Sequence, residues 1–130
     1  MNWKRAILGG LLAEVLVLLL IAPVGRAVFD QLGDPANMPP VVNYAIVTAS
    51  FVAPLLLTQW VARRLTSQFV LHGFLVGFTA FVIYMIPMTL SGESQPLMYW
   101  IAHAMKILGG VTGGLVAGRR FAARGSAVLT

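Results

Sequence analysis

Apolar residues fall in four long runs separated by short polar stretches. The first run, 6–24, reads AILGGLLAEVLVLLLIAPV, and the others cover 41–62, 69–90 and 97–118. About twenty apolar residues carry an α-helix across a bilayer, and each run has that length. The pattern predicts an all-α fold, a four-helix transmembrane bundle, with residues 1–130 forming a single integral membrane domain. The runs leave no room for a separate water-solvated domain.

Breaks between the runs carry ordinary helix punctuation. Pro23 falls at the far end of the first run. Val28, Phe29 and Leu32 keep a helical spacing beyond it, and Gly33 is a plausible stop. Asp34-Pro35 and Pro39-Pro40 then break regular structure. The stretch 25–40 is therefore expected as the longest loop, holding a short amphipathic turn at the interface. Pro40 suits the first turn of the second helix.

The second run is the most polar, with Asn43, Thr48, Ser50, Thr58 and Gln59. Asn43, Val47, Ser50, Pro54 and Leu57 share one helical face. Pro54 has no N–H, so the Ser50 carbonyl loses its partner and a kink is expected there. That face should point into the bundle, where a freed carbonyl can be satisfied.

The third run places Gly73, Gly77, Ala80, Tyr84 and Pro87 on one face, a stripe of small residues that lets backbones approach. Phe69, Phe74, Phe78 and Phe81 point largely elsewhere, and His72 reads as an interfacial residue. The fourth run has Tyr99 and Trp100 where an aromatic belt would lie. His103, Lys106, Gly110, Gly113, Gly114 and Ala117 fall within about a quarter of its circumference. Gly110/Gly114 and Gly114/Gly118 form consecutive GxxxG pairs, which in an apolar run mean helix packing. In the first helix Gly10 lies on the same face as Glu14.

Composition agrees with the pattern. Hydrophobic residues make up 58% of the chain and charged residues 10%, with a mean hydropathy of +0.85. A soluble domain carries about 25% charged residues. The net charge of +5 does not point to nucleic acid, because the basic residues sit at helix ends instead of forming one patch. There is no cysteine, which excludes disulfides, thiolate catalysis and Cys-ligated metal. The basic start at Lys4 and Arg5 resembles a signal peptide, but the run behind it exceeds an h-region of about 7–15 residues and contains Glu14. An uncleaved first helix is expected.

Charge also predicts orientation. Lys4, Arg5, Arg63, Arg64, Arg119, Arg120 and Arg124 fall on one side of a four-span bundle, and Arg26 alone falls on the other. The positive-inside rule then puts both termini and the Arg63-Arg64 turn in the cytoplasm of a multi-pass inner (plasma) membrane protein.

Three ionisable residues lie deep: Glu14, Lys106 and His103. A charge at a helix centre costs about 2.5–3.5 kcal/mol on insertion scales. Counting at 1.5 Å per residue puts Glu14 about 12 Å and Lys106 about 18 Å from the basic end. One reading pairs the two and ties the first helix to the last. Against it, side chains of antiparallel helices tilt toward opposite N-termini, so these two lean apart. Another reading keeps Glu14 neutral and hydrogen-bonded to Tyr84, Ser50 or His103. A third makes Glu14 a proton- or cation-responsive site lined by His103 and Lys106.

The stretch Gly9-Gly10-Leu-Leu-Ala13-Glu14-Val15 resembles the first helix of the small multidrug resistance transporters. That resemblance implies a homodimer in which Glu14 binds protons and cationic drugs alternately. It covers one helix in four. The family's third-helix Trp/Gly signature is not found, Lys106 adds a buried cation, and the basic bias opposes an antiparallel pair of identical chains. As a whole the chain looks like the small four-span proteins of bacterial inner membranes.

No HExxH, P-loop or Ser/His/Asp spacing occurs, and two histidines on different helices make no metal site. Neither a cofactor nor an enzymatic activity is expected. The expected role is structural or accessory, with the lipid bilayer and a second copy or another membrane protein as partners. The alternative is a small proton- or cation-coupled transporter using Glu14.

Overall fold

The computed structural model describes residues 3–32, 39–92 and 97–127 of the chain. They form four helices: α1 (Trp3–Leu32), α2 (Pro40–Ala62), α3 (Phe69–Ser91) and α4 (Leu97–Ala127). Each is long and apolar enough to cross a membrane. Among the described residues there is no strand. The expected Gly33 stop and the Asp34-Pro35 break lie outside the described residues.

Two helices outrun the apolar pattern. α1 continues through Pro23 to Leu32, so the first half of the stretch expected as a loop, 25–32, is helical. A proline removes one backbone hydrogen bond, here that to the Leu19 carbonyl, while Val28, Phe29 and Leu32 keep the helical period beyond it. α4 runs nine residues past Gly118 to Ala127 and so carries Arg119, Arg120 and Arg124 on a helix. Hydropathy finds the part of a helix that suits lipid, and helical backbone continues into water wherever nothing breaks it.

The remaining ends follow local chemistry. Pro40 occupies the first turn of α2, behind an extended Pro39 whose carbonyl accepts from the Val42 N–H at 2.9 Å. α3 starts after Gln68, which takes a left-handed conformation at φ 57°. His72 fastens that start: its backbone N–H (3.1 Å) and its Nδ1 (2.9 Å) both donate to the Gln68 carbonyl. His72 is buried between the helices in the first turn of α3. Gly92 closes α3 at φ 68°, a left-handed cap open to glycine without strain.

α4 packs along both α2 and α3, and α1 packs along the other side of the same pair. Among the described residues the α1 and α4 backbones do not meet. The four helices thus make a diamond in section, with α1 and α4 at its far corners. Close approach explains the tight α4 contacts. A side chain at Gly73 would strike the Gly110 carbonyl, and one at Gly110 would strike the Gly73 carbonyl. Gly77 lies against the Lys106 carbonyl, and a Cβ at Gly114 would come within 2.8 Å of the Val70 Cα. A second pair, Gly109 and Gly113, meets the α2 backbone at Phe51 and Leu55. α4 therefore presents glycine to two neighbours at once. Gly10 of α1 lies against Thr79 and the Val76 carbonyl of α3. Gly118 is different: a Cβ there would meet only the Phe69 ring, at 3.5 Å or more, an ordinary contact.

Ser50 and Pro54 are both buried, and α2 passes through Pro54 without interruption. Ala6, Val61 and Val76 form a small core between α1, α2 and α3, flanked by Leu57, Leu65 and Leu75. Phe74 and Phe78 stack on each other at 5.6 Å on the exposed side of α3, while Phe69 packs against Phe121.

Candidate functional site

The gap between α1 and α4 collects the costly side chains. Glu14 points into it from α1, and His103 and Lys106 point into it from α4. All three are at most 4% exposed. Lys106 Nζ donates to Glu14 Oε2 at 2.6 Å in a buried ion pair. The tilt of antiparallel side chains does not keep the two apart, because the four-carbon lysine stem crosses the space that the separated backbones leave. Lys106 Nζ also lies 4.8 Å from the Tyr84 ring centroid, a cation-π contact that adds a third helix to the arrangement.

The pair has a clear energetic role. Two charges brought out of water together cost far less than either alone, and removing one partner of a buried pair costs about 3–5 kcal/mol. Where no backbone contact joins α1 to α4, this bond does.

His103 is placed differently. Its ring lies 4.4 Å from Tyr84 and meets Phe81 edge-on at 5.9 Å. Neither ring nitrogen has a hydrogen-bond partner among the described residues, although both are buried. Glu14 therefore takes Lys106 and not His103. A buried polar atom left unsatisfied costs about 1–3 kcal/mol, a cost that nothing among the described residues offsets at His103.

Above the ion pair the gap widens into a chamber of about 440 Å³. Its inner end is polar, with Glu14, Lys106, His103, Ser50 and Tyr84. Its walls are apolar: Val17, Leu18, Ile21 and Ala22 from α1, Ile46 from α2 and Ala102 from α4. Arg26 and Tyr99 stand at the far end. The helical extension of α1 past Pro23 is what brings Arg26 to this position. Ligand pockets of this kind are mostly apolar, about 300–1,000 Å³, with a few convergent polar groups.

Glu14, Lys106, His103, Ser50 and Tyr84 are thus brought together. Pro54 and the glycines named above lie along helix contacts away from the chamber. His72 lies on the other histidine's neighbouring helix, fastened to Gln68, and among the described residues no group of three metal-ligating side chains occurs. The apolar walls were not visible as part of a site, and three further lining residues carry other meanings in the sequence or none: Tyr99 reads as part of a belt, Arg26 as a loop charge, and Ala102 has no signal of its own. The spacing Tyr99, Ala102, His103, Lys106 is a helical stripe that could have marked the first and last of these.

No family model matches the chain, and neither a curated protein nor a solved structure does. The likeness to small multidrug resistance transporters therefore rests on the α1 residues alone.

Proposed function

We propose that the chain is a non-enzymatic, multi-pass protein of a bacterial inner membrane, in an accessory role, which holds a lipophilic ligand between α1 and α4. The observation that carries this reading is the chamber: apolar walls leading to a polar end where both His103 nitrogens are unpartnered. The ligand is an amphiphile with its polar head at the end lined by Ser50, Tyr84 and His103 and an apolar body along Leu18, Ile21 and Ile46. The Glu14–Lys106 pair is the fixed floor of the site. Both termini face the cytoplasm, a reading supported by the seven basic residues on that side against Arg26 on the other.

The test compares the purified protein with Ala102→Phe, which fills the chamber. Solvent extracts of each are examined by mass spectrometry, with folding checked by circular dichroism. One lipophile should copurify with the wild type beyond its share of the bulk membrane and be lost from the folded variant. Identical extracts in bulk-membrane proportions would remove the proposal.

A second reading, proton- or cation-coupled transport, draws support from the contact of Glu14 with the chamber. Lys106 counts against it, since a cationic substrate would have to displace an ammonium already bound. Flux in proteoliposomes that responds to a pH gradient and vanishes in Glu14→Gln would favour this reading over the first.

A further inference from the structure

At the opposite end of the bundle a second recess, of about 500 Å³, lies between the end of α2 and the last turns of α4. Three guanidinium groups line it: Arg63 after α2, and Arg120 and Arg124 on α4. Ala117, Arg120 and Arg124 are spaced i, i+3 and i+7, so one helical face turns all three toward the recess. Ala62, Leu65 and Phe121 supply an apolar floor.

Gln59 organises the polar side. Its Nε2 donates to the Gly113 carbonyl at 2.6 Å, which fixes the amide. Its Oε1 is left to accept from Arg120 Nη1 at 3.3 Å. One guanidinium is thereby oriented by a neutral group, with its charge uncompensated.

Among the described residues no carboxylate lines the recess. The chain has four acidic residues. Glu14 is taken by Lys106. Asp30 belongs to the last turns of α1, at the other end of the bundle, and Asp34 and Glu93 lie outside the described residues. Among the described residues Arg63, Arg120 and Arg124 have no ion pair. Charge bias and the α2 dipole explain why arginines lie at this end. Neither requires three of them around one recess with an apolar floor, while Arg64 and Arg119 stay outside it.

We propose that this recess binds the phosphate of an anionic phospholipid, with its acyl glycerol on Leu65 and Phe121. Guanidinium forks match phosphate oxygens in charge and geometry, and a recess at the helix ends lies at the depth of the headgroups.

Native mass spectrometry of the detergent-purified full chain, titrated with phosphatidylglycerol, tests this. Arg120→Ala and Arg63→Ala should each weaken retention of the lipid by about tenfold or more, as the loss of a charge-assisted hydrogen bond implies. Arg64→Ala and Arg119→Ala should leave it unchanged. Phosphatidylcholine should bind poorly, because its choline cancels the charge, and millimolar inorganic phosphate should not displace the lipid. Equal losses from all four variants would reduce the site to general surface charge and overturn the proposal. So would equal retention of phosphatidylcholine, or full displacement by inorganic phosphate, which would make the recess a free-anion site.

Discussion

Lys106→Met strands the Glu14 carboxylate in an apolar gap, and Glu14→Leu strands the ammonium. Each single change is expected to cost about 3–5 kcal/mol. The double variant should regain wild-type stability or exceed it, since apolar pairs often replace buried ion pairs without loss. Unfolding by SDS titration in mixed micelles measures all four corners of that cycle. Additive losses would show that the two charges act independently. Both residues were legible in the sequence as expensive, because deep charges are rare enough to count. Their meeting was legible as one reading among three, from their comparable depth and opposite charge, and the structure bears it out. Helix tilt argued against it, and the distance depends on α1 and α4 standing apart, which no single helix reveals. His103 was likewise visible as deep, but its lack of partners depends on Lys106 having claimed Glu14.

At the scale of elements, α4 is the helix on which the others are built. Gly73→Val and Gly110→Val each drive a side chain into a facing carbonyl, and the backbones must separate. The folded bundle is expected to lose more than the usual overpacking cost of about 1–3 kcal/mol. Gly118→Ala meets no such obstacle and should gain slightly from better helix propensity, about 0.5–1 kcal/mol. Thermal melts in detergent separate the two outcomes, and equal behaviour of all three would contradict the close approach. Small-residue stripes were readable from helical periodicity. Which stripe faces which helix was not: Gly113 reads as a member of the face that carries Gly110 and Gly114, yet it meets α2 together with Gly109, while Gly110 and Gly114 meet α3. The end of α1 at Leu32 was readable from the helical spacing of Val28, Phe29 and Leu32, while the end of α4 escaped the pattern, because hydropathy stops where lipid stops and hydrogen bonding does not.

For the whole molecule, the number of helices and their membrane character followed directly from four apolar runs, since a bilayer demands length and apolarity before anything else. Orientation is argued from charge alone, and the chain offers a clean way to measure it. It has no cysteine, so single cysteines placed at Arg64 and Gly92 have no background. In intact cells an impermeant maleimide should label Gly92→Cys and spare Arg64→Cys. The reverse pattern would invert the bundle and put the arginine recess in the outer leaflet.

The long reach of the Glu14–Lys106 bond also bears on how the protein is made. The two residues are 92 positions apart, on α1 and α4. During synthesis α1 enters the membrane with an acid that has no counter-charge, and it must wait there while two further helices are threaded. Until α4 arrives, the unfinished chain carries the mark of an orphan subunit, a lone polar group in lipid. The arrival of α4 erases it. A bond that looks like a tie in the finished bundle is therefore also a signal that the bundle is finished.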